Sequence, residues 1–150
     1  MKQFKKLLAA GLVATALLGT AGIVVAQNSE PHEAREKAMK AMGGSMKAIK
    51  DIVGNGGPAA DIVAPAQKIA EIAATIPSLF PEGSDLEDDE ASPDIWTHWD
   101  DFTAKAKTLE TEAGMLASAA GGGDMATIGA QFEKVGGSCG SCHKAYRVKN

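Results

Sequence analysis

From residue 30 to residue 146 the apolar residues return at alternating steps of three and four, and no stretch alternates apolar and polar as a strand does. That spacing is the seam of packed helices, because 3.6 residues complete one α-helical turn. The first run is Met39, Met42, Met46, Ile49 and Val53, with Arg35 one step earlier on the same stripe, and it stops at the helix-ending cluster GNGGP. The second is Ile62, Ala66, Ile69, Ala73 and Ile76. Pro65 is tolerable there if Asp61 is the N-cap, since a first-turn residue has no intrahelical use for its N–H. Trp99, Phe102, Ala106, Leu109, Ala113 and Leu116 form the third run, and Met125, Ile128, Phe132, Val135, Cys139, Cys142 and Tyr146 the fourth. The first two helices are joined by GNGGP and the last two by AAGGGD, and short links make antiparallel neighbours. The expectation is an all-α, antiparallel, up-down-up-down four-helix bundle. A longer middle link, roughly 77–93, carries the acidic run DLEDDE, read as a solvated loop face with a docking patch as the alternative.

Ahead of the bundle, Lys2, Lys5 and Lys6 precede an apolar Ala/Gly-rich stretch from Leu7 to Val25, and VVA stands before Gln27. This reads as a secretory signal peptide over residues 1–26, cut after Ala26, leaving one domain over 27–150 and no membrane attachment. An uncleaved anchor is the alternative, though the many small residues make a weak span. Cleavage removes three lysines and no acid from 15 Lys+Arg and 19 Asp+Glu, leaving a net charge of −7. So acidic a chain has no electrostatic footprint for nucleic acid and is steered towards basic partners.

Both cysteines of the chain lie in CGSCH, Cys139 to His143. A disulfide is the plain reading of a pair in an exported protein. A thioredoxin-like site would need a preceding strand, and a zinc site more ligands nearby. Cysteines three apart on a helix instead present two thiols to one side, suited to the two vinyl groups of a covalently bound haem, with His143 as the proximal iron ligand. In the antiparallel bundle the end of the fourth helix meets Arg35 and Met39, the stretch 76–80, and Trp96 to Phe102, so an aromatic pocket including Trp96, Trp99 and Tyr146 is expected around the cofactor. The glycines at 136, 137 and 140 read as room for the porphyrin, or as a merely loose helix.

Seven residues after His143 cannot supply the opposite axial face, so it must be served from upstream. The candidates are Met39, Met42, Met46, Met115, Met125, His32 and His98. Met46 lies about 10 Å further along the first helix than Met39, Met42 reads as core, and Met115 and Met125 belong to the far end. His32 is expected to precede the ordered helix, and His98 to be a surface or cap residue. Met39 is preferred, as a sixth ligand or as a lid. Arg35, one turn earlier, is read as a partner for a haem propionate or as an ordinary solvated arginine. Arg147, four after His143, is read as tuning the iron or as compensating the helix dipole.

Together these residues resemble the class II c-type cytochromes, that is, cytochrome c′ and its low-spin relatives. The resemblance rests on Arg35-x-x-x-Met39, on SLFPEGS and SPDIW, and on VGGSCGSCHKAYR at the end. It implies a periplasmic protein with one haem c, often a homodimer packed through its first two helices. It also implies a choice of function. Low-spin relatives use a methionine from this region as the sixth ligand and carry electrons, whereas cytochromes c′ proper keep a five-coordinate iron that takes up nitric oxide or carbon monoxide. The expected function is one-electron transfer with periplasmic redox partners; the alternative is binding of a diatomic gas. An enzyme is not expected, His98 being the one histidine weighed as a distal acid–base group.

Overall fold

The computed structural model describes residues 29–84 and 90–148, so the predicted signal peptide and most of the acidic run lie outside the described residues. Helix α1 covers Ser29–Asn55, α2 covers Val63–Thr75, a four-residue turn α3 covers Asp94–Thr97, α4 covers Trp99–Gly122 and α5 covers Met125–Tyr146. Short 3₁₀ turns, Ala59–Ile62 and Ile76–Leu79, extend α2 at both ends. The molecule is an antiparallel four-helix bundle of α1, α2, α4 and α5, in which α4 packs on both α2 and α5 and α1 packs on α2. Among the described residues there is no strand, and no helix is long and apolar enough to cross a membrane.

The seams face inward as their spacing requires. Ile49, Ile62, Ile69, Leu116, Ile128 and Val135 are fully buried, one or two from each long helix and its flanking turn. The ends are set by local chemistry. After α1, Gly56 takes φ +65° and the Gly57 N–H donates to the Ile52 carbonyl at 2.9 Å, the six-to-one bond of a Schellman cap. Two expectations are corrected. Asp61 is not the N-cap of α2: it lies within the 3₁₀ turn, whose bonds take up the orphan groups, and no side chain caps Val63–Thr75. Most of AAGGGD is helical, because a left-handed residue at Gly123 and a cap at Asp124 are enough to reverse the chain.

Gly123 has φ +80°, and nothing lies within 4 Å of where its Cβ would stand. The cost of Gly123→Ala is therefore backbone strain alone, about 1 kcal/mol. We expect a lower urea midpoint with an unchanged slope; an unaltered midpoint would show that the turn relaxes out of the left-handed region.

Candidate haem site

At the end of the bundle where α5 finishes, the helices part around a cavity of about 890 Å³. It is a cleft half open to solvent rather than an enclosed void. A space of this size lies within the range of cofactor pockets and calls for a large occupant. From α5 come Gly136, Cys139, Cys142, His143 and Tyr146, with Arg147 just beyond. Helix α1 contributes His32, Arg35, Glu36, Met39, Lys40, Met42, Gly43 and Met46 to its wall. Ile76, Phe80, Ile95, Phe102 and Leu109 close the apolar back, and Glu90 and Ala91 stand at the side of Arg147.

The two thiols and the imidazole are presented together. Cys139 and Cys142 are free and half-buried, one helical turn apart, and burial pushes both thiols up. His143 is exposed. Its ring is nevertheless partly covered, and this desolvation, then the Arg147 charge, holds its pKa below the ordinary value, with Glu90 pulling the other way. Two thiols on one helix face, an adjacent imidazole and a mostly apolar cleft of this size fit a covalently attached haem.

Around this core the aromatic residues interlock. Phe102 meets Phe80 edge-on at 5.0 Å between centroids, and Tyr146 edge-on at 5.4 Å. Tyr146 is buried, and its O–H donates to the Asp101 carboxylate at 2.6 Å. Burial, then that bond, push the phenol up to about 12, so it remains a donor across the physiological range. Arg35 is only 4% exposed. It donates from Nη1 to Ser84 Oγ at 3.0 Å and from Nη2 to the Ser84 carbonyl at 2.7 Å, with its guanidinium 4.8 Å from the Phe80 ring centroid. Arg35 thus ties the middle link to α1 at the edge of the cavity.

The structure brings Arg35, Met39, Cys139, Cys142, His143 and Tyr146 to one wall-lined space, and leaves two predicted residues outside it. Trp96 turns its indole N–H to the Phe80 and Pro81 carbonyls, both at 3.2 Å, and so pins the link rather than lining the pocket. Trp99 starts α4 outside the cavity lining, 36% exposed, with its ring 5.5 Å from that of Phe102. His32 is also corrected: it lies within α1, whose first turn carries it to the cavity wall. His98 stands at the N-cap position of α4, away from the cavity. Met46 also lines the wall despite its distance along α1, as does Gly136, where an added Cβ would stand 3.9 Å from the Met46 Cε. Sequence reasoning missed Ser84 and Glu90, whose partners are 49 and 57 residues away in the chain.

A family model described as Cytochrome C′ matches residues 30–147. A cytochrome c-556 of Agrobacterium tumefaciens (strain apple 185) is 42% identical over 120 residues, 79% of this chain and 94% of the relative. A cytochrome c′ of Rhodospirillum rubrum is 35% identical over 145 residues, 91% of this chain and 97% of the relative. Among solved structures, a cytochrome c′ described as showing ligand-controlled dimer dissociation superposes with a TM-score of 0.76 at 29% identity, covering 81% of this chain and 97% of that one.

Proposed function

Because the chain belongs to the cytochrome c′ family, we propose that it is a periplasmic one-electron carrier whose iron is held between His143 and Met39. Like the family, it binds one covalent haem c with iron. That iron supplies a reversible one-electron change. Cys139 and Cys142 would hold the group through thioether bonds, and His143 would offer a ring nitrogen to the iron. The observation that carries the reading is the position of Met39 on the α1 wall of the cavity whose α5 wall bears His143. Met42, buried behind it, and Arg35, fastened to Ser84, keep this stretch of α1 in place. The buried Phe80 and Phe102 give the site an apolar back. A metal kept between two protein ligands changes little when it gains an electron, which suits transfer to the basic redox partners that an acidic chain attracts.

The second reading is an open iron that takes up nitric oxide or carbon monoxide, with Met39 as a lid. Gly43, one turn after Met39 on the same wall, has nothing within 4 Å of its would-be Cβ, so there is room for Met39 to swing aside. The solved relative with ligand-controlled dimer dissociation supports both this reading and a homodimer. Optical spectra of the oxidised and reduced holoprotein, then under carbon monoxide, separate the two. Electron transfer with Met39 ligation predicts a low-spin spectrum that carbon monoxide leaves unchanged. A high-spin spectrum that shifts with the gas would overturn it in favour of the second reading.

A further inference from the structure

We propose that Glu90 is a positioning residue for the proximal side of the iron, holding Arg147 on the cavity wall beside His143 and balancing its charge there. The inference rests on His143 being the proximal ligand.

The pairing is built at two levels. Between backbones, residues 90–92 lie antiparallel to 146–148: the Val148 N–H donates to the Glu90 carbonyl at 2.7 Å, the Ser92 N–H to the Tyr146 carbonyl at 2.9 Å, and Ala91 bridges Arg147. This clasp brings the return of the middle link against the end of α5, and so puts the side chains of Glu90 and Arg147 next to each other. Between side chains, Arg147 Nε donates to Glu90 Oε2 at 2.5 Å, and Nη2 makes a second contact with the same oxygen. The backbone N–H of Arg147 closes the last turn of α5 on the His143 carbonyl at 3.0 Å, so the two residues keep a fixed helical offset. Glu90, Arg147 and His143 all stand on the cavity wall.

Stability does not account for the pair. The two side chains are 48% and 52% exposed, and an ion pair so placed contributes little to folding. Its consequence lies in the field on the cavity side. The two charges are opposite in sign and stand on the same wall as His143, so each offsets the field of the other there. With both present the iron meets a nearly balanced pair; with Glu90 neutral it meets an uncompensated cation, which disfavours the more positive, oxidised state.

The test is the midpoint potential of the holoprotein at low salt in wild type, Glu90→Gln, Arg147→Gln and the double variant. Glu90→Gln is expected to favour the reduced form about threefold, the modest size reflecting solvent screening of a half-exposed pair. At 59 mV per tenfold for one electron, that is a rise of about 28 mV. Arg147→Gln is expected to lower the potential by a similar amount, and the double variant to return near wild type. Opposite signs are what a charge balance requires, whereas a clasp with only a structural role would move both single variants the same way. An unchanged potential in haem-loaded Glu90→Gln, or shifts of one sign in both, would overturn the inference while leaving the cofactor reading intact. Wild-type protein that yields no haem absorbance from cells competent to attach it would overturn the cofactor reading, and the inference with it.

Discussion

Cys139→Ser/Cys142→Ser protein is expected to lose all its haem to acidified acetone, whereas the wild-type chain keeps its haem through the same extraction. Serine is close in size to cysteine, and both positions are half-buried at the cavity wall, so the bundle has no reason to fail with the change. His143 remains on α5 in the double variant, and with it the means to bind iron. What disappears is the carbon–sulfur link. Axial coordination alone does not survive acid, because the imidazole is protonated and released, while a thioether does. Each single variant should retain haem through the remaining thiol. Haem that stays with the doubly substituted chain would show that attachment does not pass through these sulfurs.

Met39→Ala is expected to convert a low-spin iron into a high-spin one, abolish the far-red band of methionine–iron bonding, and raise the affinity for carbon monoxide about a hundredfold. The size follows from competition. A gas meets an open iron only in the fraction of molecules whose sixth ligand has left, and its apparent affinity is reduced by that fraction. If Met39 is off the iron in about 1% of molecules, its removal raises the apparent affinity by a factor on the order of 100. Met42 and Met46 also line the cavity, but Met42 is buried in the core and Met46 stands two turns further along α1, so neither is expected to take the place of Met39. A wild-type protein that already binds carbon monoxide, with only a few-fold change in Met39→Ala, would make Met39 a lid and the protein a gas binder.

Much of the bundle was legible in the residue pattern because a helix seam is a local property. The steps from Met39 to Val53 or from Trp99 to Leu116 depend on the 3.6-residue turn and on little else. The helix stop at Gly56 was equally local, since GNGGP can hardly be anything but a break. Asp61 was misjudged because capping and a 3₁₀ turn compete for the same orphan groups, and which one wins depends on how the incoming chain is held by its neighbours. Of the site, the Cys139–Cys142–His143 spacing and the Arg35–Met39 turn were readable for the same local reason, each lying within one or two turns of a single helix.

Trp96 and Trp99 show where that reasoning stops. Their large rings at the mouth of α4 suggested pocket walls, but a few degrees of rotation about the helix entry decide whether a ring faces inward. The carbonyls of Phe80 and Pro81 claimed one indole, and the other packs beside Phe102 at the surface, partly exposed. Ser84 and Glu90 close the runs SLFPEGS and DLEDDE, but nothing local in either run names the arginine it meets.

By itself, then, the amino-acid sequence determined the helical class, the order of the long helices, and the single turn of α5 that presents two thiols and an imidazole. These rest on interactions between residues three or four apart. Only the tertiary structure decided that His32 and Met46 reach the cavity, that Arg35 is fastened to Ser84, and that Arg147 is paired with Glu90. Those outcomes join residues tens of positions apart, and side-chain direction there is set by how the helices cross and how the middle link returns, which no local spacing encodes.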